Sequence, residues 1–227
     1  RCGVSPDKIF VVKNGVHLHQ YVRREKSKAL LKKYKLAHKF IVAYIGTHGM
    51  AQNLGFILDC AAQVKNDHIH FLFIGEGAFK SRLVKKAEQL KLKNVTLLDA
   101  IPKAEVAEHI SIADVALVNL IKKKTFTKVL PSKIFENAAM GKPILLGVEG
   151  EAKQLIESYR AGLCYEPENR VDFLLKLEQM YVDKEQYEIF EDGCLALAEN
   201  FDRKRLANRM FSVLVDASIT NTVYSKT

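Results

Sequence analysis

The chain has 227 residues, of which 48% are hydrophobic and 27% are charged, a composition typical of globular proteins rather than disordered or fibrous chains. No apolar run approaches the roughly 18 residues needed to span a bilayer, and the first residues lack a signal-peptide pattern, so we expect no membrane-spanning segment. The formal net charge of +9 is concentrated in residues 1–40, because the rest of the chain has as many acidic as basic residues.

Apolar runs rich in β-branched residues alternate with amphipathic segments through most of the chain. Runs that are apolar on both faces predict a parallel sheet covered by helices on both sides. In chain order, the predicted strands are 9–12, 40–45, 69–74, 95–98, 115–119, 143–146 and 163–165. The predicted helices are 23–35, 54–64, 80–90, 103–112, 132–140, 151–158, 170–182, 186–200 and 203–217. The sequence therefore predicts a single α/β domain, a Rossmann-like three-layer parallel sheet with a helical C-terminal tail.

The first predicted helix, 23–35, has the sequence RREKSKALLKKYK, with apolar residues on one side and lysines around the rest. A solvated helix packed by a narrow apolar stripe explains this pattern. A contact with nucleic acid or with an anionic membrane is the alternative, because clustered positive charge attracts both partners.

Cysteine and histidine give no sign of a metal site. The four cysteines are widely spread and form no C-x-x-C pair, which favours reduced thiols in a cytoplasmic protein. His68 and His70 lie on one face of a predicted strand, but no third ligand is nearby in the sequence. We therefore expect no bound metal.

Open parallel sheets bind ligands beyond the carboxyl ends of their strands, so the loops that follow strands are the candidate sites. Gly46-Thr47-His48-Gly49 follows the strand 40–45, and its glycines allow a tight turn and a close approach to an anion. A purely structural turn is the alternative interpretation.

A second glycine pair, Gly75 and Gly77, follows the next predicted strand. A dinucleotide-binding fingerprint needs a third glycine where Lys80 stands, and the chain contains no P-loop motif. These absences argue against a conventional NAD domain and against a P-loop NTPase. The loop after 95–98 contains Ile101, whose backbone could hydrogen-bond a flat base, and an ordinary loop is the alternative.

The stretch LPSKIFENAAMGKP predicts a short helix with strong signals at both ends. Pro131 stops the preceding segment and Ser132 is the expected N-cap, so the free N–H groups of the first turn can bind an anion. Lys133 and Glu136 lie three residues apart on the outer face, where they either contact a ligand or form a surface ion pair. The predicted buried stripe is Ile134, Phe135, Ala138 and Ala139.

These loops together resemble one known family. Asn-Gly-Val at 14–16, GTHG followed by AQNL, IGEGAFKSRL and SKIFENAAMGKPIL occur in one order along the chain. This order resembles the C-terminal, donor-binding half of a GT-B glycosyltransferase of the retaining family 4 type. It is similar to bacterial transferases of O-antigen and capsule synthesis, N-acetyl-L-fucosamine transferases among them.

The resemblance implies a UDP-sugar as substrate, with no cofactor and no metal. It implies that Glu136 binds the ribose and that Ile101 contacts the base, chiefly through its backbone. The residues implied for the diphosphate are Gly46, Thr47, Gly49, Ser132 and Lys133. No catalytic residue is assigned within this chain.

The chain departs from the family's pattern in two respects. Lys128 stands where the first acid of the E-x7-E motif would fall, which leaves the orientation of the transferred sugar open. Gln52 and Asn53 stand where many members carry a basic pair. The charge of the diphosphate would then be met by Lys133 or by the lysine run 122–124.

The family also implies an N-terminal domain that holds the acceptor, and this chain begins where such a domain would end. The implied acceptor is a saccharide or a saccharide linked to polyprenyl diphosphate. The helix 203–217 resembles the family's C-terminal helix, which packs on that domain, so the isolated chain is expected to bind nucleotide without transferring sugar. We expect a cytoplasmic protein with no nucleic-acid partner, and peripheral contact with the inner face of the plasma membrane is open. The alternatives are a basic module that binds nucleic acid or anionic membrane, and a GT-B nucleotide-sugar epimerase.

Overall fold

The computed structural model describes residues 3, 5 and 9–224, with side chains as far as residue 217. Cys2, one of the four cysteines discussed above, lies outside the described residues. Within the described part of the chain, no helix is long and apolar enough to cross a membrane.

Six strands form one sheet in which every neighbouring pair is parallel. The strands are β1 (Phe40–Ile45), β2 (Ile69–Ile74), β3 (Val95–Leu98), β4 (Val115–Asn119), β5 (Ile144–Gly147) and β6 (Gly162–Cys164). Their order is β3-β2-β1-β4-β5-β6. Strands β2 and β3 are added on one side of β1, and β4, β5 and β6 are added on its other side. In such a sheet a crevice for ligands is expected beyond the carboxyl ends of β1 and β4, where the order changes side.

Nine helices surround this sheet in the described part of the chain. They are α1 (Lys28–Tyr34), α2 (Leu54–Ala61), α3 (Lys80–Gln89), α4 (Val106–Ser111), α5 (Ser132–Ala139), α6 (Glu151–Tyr159), α7 (Arg170–Val182), α8 (Lys184–Asn200) and α9 (Arg203–Tyr224). Short 3-10 turns lie at Met50–Gln52, Lys103–Glu105 and Lys124–Lys128.

Apolar side chains fill both faces of the sheet, as a three-layer fold requires. One core cluster joins β5 to α5 and α8 and includes Phe135 and Leu197. Another packs α2 and α7 against β1 and β2 and includes Phe71 and Phe173. The predicted α/β, Rossmann-like architecture with a helical C-terminal tail is confirmed.

The predicted strand 9–12 is wrong. Residues 9–12 have no regular secondary structure and form no ladder, and the side chains of Ile9, Phe10 and Val11 are 57%, 64% and 67% exposed. An apolar run becomes a strand only where another strand offers its hydrogen-bonding edge, and within the described residues none lies beside it.

The predicted helix 23–35 is wrong in its first half, because the helix begins only at Lys28. Ser27 caps it, since its hydroxyl accepts a hydrogen bond from the Leu30 N–H at 3.3 Å. Before the cap, Arg23 and Lys26 lie in a segment without regular secondary structure and form ion pairs with carboxylates distant in the sequence. These ion pairs are Arg23–Glu191 at 2.7 Å and Lys26–Asp114 at 2.5 Å.

Candidate functional site

The first glycine loop follows β1 at the centre of the sheet's carboxyl edge. Gly46 has φ 147°, a conformation that favours glycine. The N–H groups of Gly46, His48 and Gly49 all have acceptors within the protein. These acceptors are the Ile74 carbonyl at 2.8 Å, the Glu76 carbonyl at 2.8 Å and the Gln52 side-chain oxygen at 3.1 Å. Among the described residues, the Thr47 N–H has no acceptor, and this group is available to a ligand.

The second glycine loop supports the first through backbone contacts. A side chain at Gly75 would collide with the Gly46 carbonyl, and a side chain at Gly77 would meet the His48 backbone. Both glycines have φ near 150°. They are therefore required for the packing of one loop on the other, as expected of turn-forming rather than ligand-binding residues.

The start of α5 differs from the prediction in one respect. Pro131 occupies the N-cap position with an extended backbone, and Ser132 is the first helical residue. Ser132 is therefore not the N-cap, because proline, with its fixed φ, already stands at the helix boundary. The N–H groups of Ser132 and Lys133 have no acceptor among the described residues, which leaves two donors at the positive end of the helix dipole.

Lys133 folds back over the first glycine loop. Its Nζ lies 5.5 Å from the centre of the Tyr44 ring, and the end of its side chain occupies the space that a Gly46 side chain would need. No carboxylate of the described residues lies within 4.0 Å of this ammonium group. Burial lowers the pKa of Lys133, and the carboxylate of Glu136 partly opposes this effect.

Glu136 is half-buried one turn further along α5. Burial raises the pKa of its carboxyl group, against the opposing effect of Lys133, Lys103 and Arg203. Its oxygens accept no hydrogen bond from the described residues, and the surface ion pair with Lys133 that the sequence left open is not formed. The site thus holds an ammonium and a carboxylate that are close enough to influence each other but leave their hydrogen-bonding capacity unused.

An open groove of about 390 Å³ lies beside Glu136. It is lined by Gln20, Tyr21, Lys103, Ala104 and Ala107. Tyr21 and Lys103 both interact electrostatically with Glu136, which places the groove next to the carboxylate. Ile101 lies two residues before Lys103 in the loop after β3. Its side chain packs against the core cluster near α1, and its backbone groups are unbonded within the described chain.

The lysine run 122–124 is occupied elsewhere, at least at its first residue. The Lys122 amine contacts Glu166 at 2.6 Å, and this carboxylate raises the pKa of Lys122. The Lys122 N–H also donates to Glu168 at 3.1 Å. Lys128 is exposed on a 3-10 turn. The sequence left open whether Lys133 or the lysine run 122–124 meets the charge of the diphosphate. The structure brings Lys133 to the glycine loop.

Sequence reasoning missed several residues around the site. Tyr44 donates its hydroxyl to the Thr47 carbonyl at 2.9 Å and lies beneath Lys133. Arg203, at the start of α9, donates to the Gly15 carbonyl at 2.9 Å and so fastens the N-terminal segment near Glu136. These residues lie far from α5 in the sequence, and no motif marked them.

Within the described part of the chain, the edge beyond β1 offers three free N–H groups and one unpaired ammonium. These groups suit a phosphate-like anion, because helix starts and glycine loops bind anions through backbone donors. The neighbouring carboxylate has free acceptor sites that suit hydroxyl groups.

A family model described as glycosyl transferases group 1 matches residues 22–193. Among curated proteins, the chain is similar to the putative colanic acid biosynthesis glycosyl transferase WcaI of Escherichia coli K12, with 29% identity over 135 residues. It is also similar to the probable glycosyltransferase WbjE of Pseudomonas aeruginosa, with 30% identity over 135 residues. These matches cover 58% and 59% of this chain but only 33% and 34% of the relatives' lengths.

Among solved structures, the fold is similar to that of Anabaena Alr3699/HepE in complex with UDP-glucose, with a TM-score of 0.78 and 18% identity. This similarity covers 94% of the chain and 59% of HepE. At such low identity the similarity shows the fold alone.

Proposed function

The chain belongs to the family of group 1 glycosyl transferases, and we propose that it is the donor-binding part of an enzyme that transfers a sugar from a UDP-sugar. One observation carries this proposal. Among the described residues, Lys133 has no ion-pair partner where it lies against the Gly46 turn, and the half-buried Glu136 one turn later on the same helix accepts no hydrogen bond. A nucleoside diphosphate offers what both groups lack, namely phosphate oxygens and a ribose diol.

In this proposal the diphosphate contacts the start of α5 and the first glycine loop. The Lys133 ammonium and the free N–H groups of Thr47, Ser132 and Lys133 donate to its oxygens. Gly46 and Gly49 shape the turn, because their own N–H groups are already bonded within the protein. The HepE complex with UDP-glucose supports a donor of this class.

The nucleoside lies on the Glu136 side of the site. The Glu136 carboxylate accepts hydrogen bonds from the two ribose hydroxyls, and the charges of Lys103 and Arg203 help to keep it ionised. The base contacts the free backbone groups of Ile101, above the groove beside Tyr21. This arrangement separates the phosphate and nucleoside ends of the donor by one helical turn.

The donor site assists transfer by stabilising the departing diphosphate. The N–H groups of a loop and of a helix start are already oriented, so they do not need to reorganise as negative charge develops on the leaving group. One such donor typically contributes ~3 kcal/mol to catalysis. We propose that transfer proceeds with retention of configuration and without a metal. Parallel assays with and without a chelator would check the independence from metal.

The wider role that we propose is the synthesis of a bacterial surface polysaccharide on a saccharide or lipid-linked acceptor in the cytoplasm. The names of WcaI and WbjE support it. The family match also favours a transferase over the two alternatives, a basic binding module and an epimerase. We assign acceptor binding to a part of such enzymes that this chain does not match.

Calorimetric titration with UDP tests the site. Replacing Lys133 with Ala removes a charge-assisted donor, and replacing Glu136 with Ala removes the ribose acceptor. Each substitution is expected to weaken UDP binding about tenfold or more, because a hydrogen bond to a charged group is worth roughly 1.5–3 kcal/mol.

Lys153 and Glu157 provide the matched control, since they are the same pair of residue types on α6, 3.8 Å apart and exposed. Lys153→Ala and Glu157→Ala should leave UDP affinity unchanged. Equal affinity in wild type, Lys133→Ala and Glu136→Ala would refute the assignment.

A further inference from the structure

His48, in the middle of the first glycine loop, has an unusual environment. Its side chain is completely buried, and neither ring nitrogen has a hydrogen-bond partner within the described structure. Buried polar atoms without a partner are rare in folded proteins because they lose their bonds to water. An apolar ring would fill the same space at a lower cost, so the imidazole calls for a functional explanation.

The surroundings of His48 are cationic. Burial is the main reason that the pKa of His48 is lowered to about 4, and the charges of Lys80 on α3 and Lys133 on α5 lower it further. The Tyr44 ring of β1 lies 6.0 Å away, and Lys80 is itself paired with Asp99 at 3.4 Å. In the empty site the imidazole is therefore neutral at physiological pH.

We propose that His48 is a positioning residue of the donor site, and that at mildly acidic pH it takes up a proton from solvent when a nucleoside diphosphate binds against Lys133 and the first glycine loop. The inference rests on the proposed function. No bond to the ligand is required, because the proton bound by the ring adds a positive charge behind the loop that holds the anion.

The physical reason is the change in charge next to the ring. In the empty site, a third permanent cation beside Lys80 and Lys133 would repel both amines. A bound diphosphate neutralises Lys133 and adds negative charge at close range, so an imidazolium becomes less unfavourable at this position. Burial, the larger cause of the lowered pKa, still opposes the charged ring. At mildly acidic pH a titratable side chain supplies that charge mainly when the anion is present, whereas a third lysine would carry it at all times.

By linkage, the effect works in both directions. If the anion raises the proton affinity of His48 tenfold, protonation of His48 raises the affinity for the anion by the same factor. The affinity of the domain for UDP should then increase between about pH 6 and about pH 4, relative to a variant that lacks this ring.

The test is an NMR titration of the imidazole rings from pH 7.5 down to the acid limit of the fold, with and without saturating UDP. His70 is an internal control, because it is also buried, its pKa is also lowered to about 4, and its Nε2 is bonded to Thr96 at 2.8 Å. It lies near the start of β2, away from the glycine loop. His48→Asn assigns the His48 signal.

With UDP bound, the titration midpoint of His48 should rise by about one pH unit or more, because a neighbouring anion favours the charged ring. The midpoint of His70 should not move. Binding of UDP with an unchanged His48 midpoint would overturn this inference and leave the proposed function intact. If UDP causes no spectral change at any residue, the proposed function fails and this inference fails with it.

Discussion

At the residue scale, the site depends on glycines that allow two loops to approach each other. Gly75 is the sharpest case, because the Gly46 carbonyl occupies the place of its missing side chain. The obstacle is backbone, which cannot turn aside as a flexible side chain can. A methyl group at Gly75 must therefore displace the loop that we assign to the diphosphate.

Gly75→Ala is expected to destabilise the domain by about 2 kcal/mol or more, since both the steric clash and the positive φ oppose the substitution. Gly55 in α2 is the matched control. A side chain there would meet only the Lys86 side chain at 3.7 Å, and alanine in a helix stabilises by about 0.5–1 kcal/mol relative to glycine. Urea unfolding should give effects of opposite sign. A similar small effect from both substitutions would contradict the packing of the two loops.

The residues of the site were predictable only in part. The spacing of Lys133 and Glu136 on one helix, and the glycine turn after β1, follow from the sequence. The direction of Lys133 does not, because it depends on the open space at Gly46 and on the Tyr44 ring. The sequence also does not reveal that the Gly46 and Gly49 N–H groups are already bonded within the protein. Their acceptors are the Ile74 carbonyl of β2 and the Gln52 side chain.

At the element scale, α5 shows how a cap decides which groups remain free. Because Pro131 holds the N-cap position, the Ser132 hydroxyl has no capping role. Ser27, by contrast, is a true cap of α1, and its hydroxyl also donates to Glu108 at 2.7 Å. The two serines therefore contribute differently to stability, although both stand at a helix start.

Ser132→Ala should change the free energy of unfolding by less than about 0.5 kcal/mol, as most exposed substitutions do. Ser27→Ala should cost about 1 kcal/mol, the usual price of a lost cap. Denaturant unfolding of both variants checks this difference. A loss at Ser132 as large as the loss at Ser27 would mean that its hydroxyl caps α5 after all.

The sheet was predictable because its strands are apolar on both faces and are separated by clear turn signals. The five central predictions, from 40–45 to 143–146, agree with the observed strands to within one residue. The failures lie where the outcome depends on partners distant in the sequence. Residues 9–12 have the composition of a strand, but no strand edge of the described residues lies beside them. Arg23 and Lys26 precede a helix, but they lie outside it and form ion pairs with Glu191 and Asp114.

At the scale of the whole molecule, apolar side chains remain exposed on α9. Met210, Phe211 and Leu214 are 52%, 69% and 58% exposed. An exposed cluster of this kind is typical of an interface. It agrees with the expectation that this helix packs on a further domain, which stays a prediction.

Phe211→Ser combined with Leu214→Ser should leave the UDP affinity of this domain unchanged, because α9 presents these residues away from the core. In the longer enzyme, the same changes should reduce sugar transfer about tenfold or more, since loss of two buried apolar side chains costs at least ~3 kcal/mol at an interface. Unchanged transfer would mean that this face of α9 stays uncovered.

The stability of the whole domain should fall in acid through two buried histidines. The pKa values of His48 and His70 are lowered by burial to about 4, from an ordinary value of 6.5. Between these values the unfolded chain binds protons that the folded chain does not, so stability is lost as pH falls from about 6.5 to about 4. Each histidine contributes a loss on the order of 2–3 kcal/mol.

Urea unfolding at pH 7 and at pH 4.5 measures this loss. His70→Asn should remove about half of the difference that these two residues cause, because only His48 then remains. An identical pH dependence in wild type and variant would show that His70 does not oppose protonation in the fold.

A crystal structure of this domain with UDP tests the central claim most directly. We expect the diphosphate between the Gly46 turn and the start of α5, within hydrogen-bonding distance of Lys133, and both ribose hydroxyls on the Glu136 carboxylate. Well-ordered UDP at another position, with Lys133 and Glu136 free of contacts, would contradict the account.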